Sequence, residues 1–383
     1  MKSLPFLLLF LPLCLVAKPK EKKFLEIKNR QIEVVQDLTR GGAIAYISKR
    51  GAYRNLVNIR DEGRYIQQSY YAGNTVDRRA EGQSPFWSPW AWNPIQVGDA
   101  ARNRAQILEA RQTRRTTYVK CVPMLWDMDN RPAEAEMEQW TTLQGNTLHV
   151  RCRLTCHRTD TVYGDATENS QEIPAVYPIS ALNHLYYYQG DAPFTGGRAD
   201  SVEVEELRFT EPKHFWGHYP SVPEKWMAFV DDEGWGMGVY SPSATAFLAG
   251  RYLPNRDGEA LSDPTSYIAP LRQQRMTRNS VVEYEYYIIL GTVQEIQAEV
   301  YRLRQWTIDN RQRTIDNRQR TTDKFKKGTP ERRCLFFVQV KACRRRFHLC
   351  GSDLRPPTVS ECSCTLLSYR NPTSDAPAAS PSL

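Results

Sequence analysis

Outside Leu4–Val16, no stretch of the 383 residues is apolar for long enough to cross a bilayer, and that run of about thirteen falls short of the roughly 20 required. A polytopic membrane protein is excluded. So are collagen-like and wholly disordered chains, since 41% of residues are hydrophobic, 11% aromatic and 25% charged, with a mean hydropathy of −0.58. The chain has no Gly-x-Ser-x-Gly elbow, Walker-type loop, dinucleotide fingerprint or His-Glu-x-x-His, so the chemistries those motifs carry have no support and no cofactor is expected. Cysteine is scarce in the body of the chain, where only Cys121, Cys152 and Cys156 lie between residue 18 and residue 300. Three cysteines do not make a disulfide scaffold. Cys152 and Cys156 sit four apart in an alternating run, on one face but too distant along it to bond to each other. That leaves a cross-strand bond from Cys121 to one of them, or three buried free thiols.

The formal charge of +8 invites a nucleic-acid reading until it is located. Residues 301–383 hold 17 of the 51 basic and 7 of the 43 acidic groups, a net +10, so residues 1–300 are at −2. The basic character belongs to the tail, and no nucleic-acid partner is expected for the folded part.

The N-terminus has the form of an export signal. Lys2 gives the positive region, Leu4–Val16 the apolar core, and Ala17 a small residue for cleavage before Lys18. Residues 1–17 are therefore read as a signal peptide, the product as secreted or periplasmic, and the mature chain as lacking an integral membrane segment. Cys14 would allow a surface lipoprotein, but Leu13 is bulky where such signals carry a small residue.

The other end is of a different texture. Thr307–Arg313 is repeated as Thr314–Arg320, and a third copy begins at Thr321. One apolar residue per seven is too few for a coiled-coil seam. Five of the nine cysteines, a Cys343-Arg344-Arg345-Arg346 cluster and a Pro/Ala/Ser terminus follow. Their spacings match no standard zinc pattern. Residues 306–383 read as a basic, Cys-rich, low-complexity tail, either disordered or the product of a shifted reading frame.

Residues 18–305 read as an all-β domain: a large antiparallel sandwich closed by one C-terminal helix. Short alternating runs bounded by turn residues recur throughout, among them Phe24–Lys28, Ala43–Ser48, Thr147–Cys156 and Val281–Leu290, with no interleaved helices. Val293, Ile296, Val300 and Leu303 mark a single helical stripe over Val293–Gln305. The sequence carries no signal of oligomeric state.

Aromatic residues gather outside regular elements. Phe86-Trp87-Ser88-Pro89-Trp90-Ala91-Trp92 places three tryptophans among prolines that exclude a helix and disfavour a central strand. Trp87, Trp90 and Trp92 then either plug the sandwich or line a cleft, where flat rings stack on the C–H faces of sugars. In Arg64–Ala72, alternation puts Tyr65, Gln67, Ser69 and Tyr71 on one face, a candidate ligand-facing row, opposite Arg64, Ile66, Gln68 and Tyr70. Glu172, beside Ile173-Pro174, would have its pKa raised by desolvation, with His184 as a proton-transfer partner. His214, Trp216 and His218 form a candidate substrate loop, because Gly217 and Pro220 speak against a metal-binding helix.

These pieces together resemble galactose-mutarotase-like supersandwich proteins of secreted bacterial polysaccharide-processing systems. The resemblance is carried by Gly41-Gly42-Ala43-Ile44, Asn55-Leu56-Val57-Asn58, Asp61-Glu62-Gly63-Arg64, Glu172-Ile173-Pro174-Ala175 and the Trp226–Tyr240 hairpin. It implies a sugar cleft lined by the segment after the early hairpin, and a glutamate and a histidine on separate strands as base and acid. Glu172 and His184 are the nearest residue types, in an order and spacing of their own. The expected function is a carbohydrate-binding protein acting on a plant or algal polysaccharide. As a hydrolase it would pair Glu172 with Glu224 or Asp99, about 5–5.5 Å apart for retention or 6.5–9.5 Å for inversion. As a lyase it would use Tyr70 or Tyr71 as base beside Arg64. The alternative is a non-catalytic glycan-binding or surface-assembly protein.

Overall fold

The computed structural model describes residues 22–204, 206–207, 216–252 and 264–327. The leader with Cys14, His214 of the candidate loop, and the tail from residue 328 lie outside them. The chain divides into a unit ending at Thr322 and a second from Asp323, of which only the last turn of the helix, to Lys327, is described.

Two large sheets form the first unit, and alternation is the reason. Ala135–Gln144 and Thr147–Cys156 bury every second residue, so each pays one face to a shared core. The nine-stranded sheet runs Asp200–Val202, His184–Tyr187, Trp226–Val230, Trp235–Tyr240, Val281–Thr292, Thr147–Cys156, Ala135–Gln144, Thr116–Val122, Gln106–Gln112. The eleven-stranded sheet runs from Phe24–Lys28 through Ile32–Asp37, Ala43–Lys49, Ile66–Ser69, Glu168–Val176 and Thr265–Arg275 to Ala246–Tyr252, with Gly217–Tyr219 also paired to the last of these. Pairing is antiparallel except where Glu206–Leu207 joins Ala246–Tyr252 in parallel. The sandwich with one helix at its C-terminal end is the architecture that the strand texture predicts.

One large cluster fills the space between the sheets, contributed by Ile44, Ile66, Ile173 and Ile268 from one and Val150, Leu154, Phe229 and Ile288 from the other. Cys121, Cys152 and Cys156 are free thiols buried in it. The Ala135–Gln144 strand separates Cys121 from the other two, about 9–10 Å of sheet, which is too far for a disulfide.

The helix covers the outer face of the nine-stranded sheet. Val293, Ile296, Val300 and Leu303 pack on Trp226, Ala228, Val230 and Tyr287. It starts in a capping box: the Thr292 N–H donates to Glu295 Oε2 at 2.8 Å, and the Glu295 N–H to Thr292 Oγ1 at 3.3 Å. It ends at Lys327 rather than Gln305, so the seven-residue repeats are helical where the sequence reading places a tail. No glycine or proline occurs between Thr292 and Gly328, and two i,i+4 pairs seven residues apart lead into successive copies, Gln305 to Asp309 and Gln312 to Asp316, both 2.8 Å. Among the described residues no helix is long and apolar enough to cross a membrane.

Candidate functional site

The outer face of the eleven-stranded sheet is where polar and aromatic groups meet. Strand register puts Glu172 opposite Ser69 on one side and Leu271 on the other. The ladder slips between Glu172 and Val176, and the side chains after the slip divide cleanly: Ile173 and Val176 enter the core, while Ala175 and Tyr177 join Tyr267, Ala269 and Leu271 in a separate outer cluster. Glu172 is half-buried there. The Tyr267 hydroxyl donates to its Oε1 at 2.6 Å. Burial raises the Glu172 pKa above the ordinary value, and the hydrogen bond from Tyr267 offsets only part of that. The phenols of Tyr71, Tyr177 and Tyr267 are in turn pushed up by their own burial and by Glu172.

Tyr71 is fixed next to this carboxyl by its backbone. Its N–H donates to Gln171 Oε1 at 2.9 Å, and Gln171 Nε2 donates back to the Tyr71 carbonyl at 2.8 Å. From Tyr71 a file of half-buried rings leads away. Trp90 follows at 6.3 Å between centroids, Trp87 at 5.3 Å, then Trp126 at 5.4 Å and Phe86 at 4.9 Å from Trp87, each steeply inclined to the last. The Trp87 loop is pinned by N–H donation from Trp87 and Ser88 to the Ser84 carbonyl, at 3.1 and 3.0 Å. Trp90 Nε1 donates to Asn93 at 3.1 Å. On the other side of Glu172, Tyr267 touches Tyr177 at 4.6 Å and Trp216 at 4.5 Å. His218, two residues beyond Trp216, is exposed on the strand paired with Ala246–Tyr252.

Several expected site residues do other work. Trp92 is fully buried in the core, with the Arg158 guanidinium over its ring at 5.3 Å. Gln67 is buried, donating to the Glu62 and Arg64 carbonyls at 2.9 and 2.6 Å and accepting from the Val97 N–H at 3.0 Å, so it braces the early loop rather than facing solvent. The alternation read over Arg64–Ala72 holds at Ile66 and Tyr70, which enter the core; Gln67 is lost to a ligand because the Val97 N–H and the Glu62 and Arg64 carbonyls occupy its amide. Tyr70 lies in the inter-sheet core, donating to Gln68 Oε1 at 2.7 Å, and burial drives its pKa well up, so it is not placed to act as a base. Tyr71 is shifted in the same direction, which speaks against that role for it also. Arg64 is buried, ion-paired with Asp61 at 3.1 Å and set over Tyr252 at 6.0 Å.

The carboxyl pairs considered from sequence are not brought together. Glu224 is completely buried at the opposite face of the sandwich, accepting from the Phe194 N–H (2.8 Å), Trp226 Nε1 (2.9 Å), Gln297 Nε2 (3.1 Å) and the Tyr301 hydroxyl (2.5 Å). It fastens the helix and the 188–199 loop to the nine-stranded sheet. Asp99 is a buried loop staple, accepting from the Asn103 and Asn130 N–H groups, both at 2.8 Å. His184 belongs to the nine-stranded sheet, exposed, with Nε2 at 2.9 Å from Asp232. Neither it nor Glu224 shares a surface with Glu172, because outer faces of two stacked sheets point away from each other.

Tyr177, Tyr267 and Trp126 complete the site and were not assigned to it from sequence. Tyr267 is the single phenol of its strand, and its partner comes from a strand 95 residues earlier. Trp126 is positioned through Gly63: a side chain at residue 63 would place its Cβ 2.9 Å from Trp126 Cη2. A separate groove of about 520 Å³ is lined by Trp140, Arg151, Arg153, Arg272, Glu283 and Glu285. Its charges are largely spent on each other and on the ring: Arg153 pairs with Glu283 at 2.5 Å and Arg151 lies over Trp140 at 5.3 Å.

No family model matches the chain, and no curated protein matches it in sequence. Among solved structures it is similar to the galactose mutarotase related enzyme of Lactobacillus acidophilus, with a TM-score of 0.41 and 10% identity over 70% of this chain and 98% of that one. It is also similar to a 4-α-glucanotransferase of Thermococcus litoralis (TM-score 0.38, 10% identity, 70% of this chain and 37% of that one). An α-galactosidase of Geobacillus stearothermophilus gives a TM-score of 0.38 and 12% identity over 70% of this chain and 40% of that one.

Proposed function

We propose that this is a secreted carbohydrate-active protein that binds a plant or algal glycan on the outer face of the eleven-stranded sheet, with Glu172 as its proton-transfer group. The observation that carries the reading is Glu172 itself, a half-buried carboxyl bonded to Tyr267 and flanked by half-buried rings on a sheet face that the main core does not use. Flat rings beside hydroxyl and carboxyl groups suit a sugar, which offers an apolar C–H face and a rim of hydroxyls. A carboxyl with a raised pKa keeps its proton to higher pH than a free one and can donate it to a glycosidic or ring oxygen. Export rests on the leader sequence.

A non-catalytic glycan binder is the second reading, and one observation favours it. The carboxyls considered as partners for Glu172 are committed elsewhere, Glu224 at the opposite face of the sandwich and Asp99 within its own loop, while cleavage by hydrolysis requires a second carboxyl across the bond. The test is to incubate the protein with a panel of plant and algal polysaccharides, following reducing ends and absorbance near 235 nm. Reducing ends that disappear in Glu172→Gln support the enzyme, and the absorbance separates lyase from hydrolase. Retardation in a glycan-containing gel without product supports the binder. Neither product nor retardation with any glycan overturns the reading.

A further inference from the structure

The position of Glu172 within the aromatic file says something about the length of the ligand. The rings do not end at the carboxyl. On one side stand Tyr71, Trp90, Trp87 and Phe86; on the other stands Trp216, half-buried against the fully buried ring of Tyr267. The order follows from the sheet, because Tyr71 follows the Ile66–Ser69 strand, Glu172 lies on the next, Tyr267 on the one after it, and Trp216 precedes a strand farther out. Neighbouring strands are about 4.8 Å apart, so the file crosses the sheet with a step close to the advance of one sugar residue.

We infer that the site binds an interior stretch of a polysaccharide, with sugar residues on both sides of Glu172, rather than a single sugar or a chain end. This rests on the carbohydrate reading above. Three features support it beyond the count of rings. Phe86, farthest along the first arm, is 39% exposed, and Trp87 and Trp90 are half-buried, so each has a covered side and an accessible one. The loop that carries them is held by the Ser84 carbonyl and by the cis Ser88-Pro89 segment's bond from Ser88 Oγ to Asp77 at 3.0 Å, which limits the ordering cost of binding. Asp77, with Arg79 bonded to it at 2.6 Å, sets exposed polar groups along the same arm, where sugar hydroxyls would lie.

The experiment is a titration of the full chain with cello-, xylo-, manno- and laminari-oligosaccharides from monosaccharide to octasaccharide, followed by tryptophan fluorescence and calorimetry. Affinity should rise with chain length over several units. Phe86→Ala and Trp87→Ala on one arm, and Trp216→Ala on the other, should each cost about three- to tenfold for long chains while leaving short ones nearly unchanged. Phe86→Ala removes an exposed ring, so its result does not depend on refolding of the loop. A monosaccharide that binds as tightly as the octasaccharide overturns the inference and leaves the carbohydrate reading standing. So does equal weakening at all lengths in the three variants. Absence of binding by every sugar in the series, together with a blank polysaccharide panel, overturns both.

Discussion

Two glutamates illustrate how burial sets a residue's task. Glu224 has four donors around it and no access to solvent, and it behaves as a structural acceptor. Replacing it by Ala leaves those donors without an acceptor, and we expect a loss of about 3 kcal/mol or more in denaturant unfolding. An unchanged midpoint would show that water or neighbouring groups replace it. Glu172 is less enclosed and has its pKa raised by desolvation. The folded state therefore holds its proton more tightly than the unfolded chain does. Its contribution to stability is complete below the ordinary value of 4.5 and is lost as pH rises through the raised value. Glu172→Gln removes that decline, so the melting temperature of the variant relative to wild type should increase from acid to neutral pH. A pH-independent difference would contradict the shift. A reaction that needs protonated Glu172 should fall off over the same window.

At the scale of elements, the C-terminal helix is held by its first three turns. Gly238, in the strand beneath, has no room for a side chain: a Cβ there would lie 2.4 Å from Ile296 Cγ2. Gly238→Ala should lift the helix and cost about 1–3 kcal/mol, measured by thermal unfolding. The rest of the helix is different. Among the described side chains, the buried apolar contacts with the sheet end at Leu303, and Trp306 and Ile308 are exposed. Deleting Thr314–Arg320 removes one whole repeat, and stability should stay within about 0.5 kcal/mol of wild type. A larger loss would mean that the repeats pack on something. Circular dichroism should fall by the share of seven helical residues, which a disordered repeat would not produce.

For the whole molecule, the inter-sheet core makes three thiols inert. Burial pushes Cys121 up to about 12 and raises Cys152 and Cys156 as well, so little thiolate exists at neutral pH. Alkylation of the native protein followed by peptide mapping should leave Cys121 and Cys152 unmodified until denaturant opens the sandwich. Modification at equal rates in the native and denatured protein would contradict the packing. The same stacking of sheets separates the proposed glycan-binding face from the helix-covered one, which is why Glu172 and Glu224 cannot cooperate.

Sequence alone determined the class of fold. Alternation with period two over strands such as Ala135–Gln144, and a single stripe with period 3.6 from Val293, specify which faces are apolar, and apolar faces must be buried against one another. Local chemistry also identified Glu172 beside Ile173-Pro174 and the Trp87–Trp92 loop as unusual. It did not show that the helix continues to Lys327, though the first stop signal at Gly328 was legible there. Only the tertiary structure decided which of the noted residues meet. Tyr267 reaches Glu172 across 95 residues of chain, and the Val97 N–H, 30 residues away, occupies the Gln67 amide that alternation alone assigned to a ligand face. His184 and Glu224 went to the other sheet because strand order, not distance along the chain, fixes neighbours. Periodicity is a local property of the chain, whereas a site on a sandwich is assembled by pairing between distant strands.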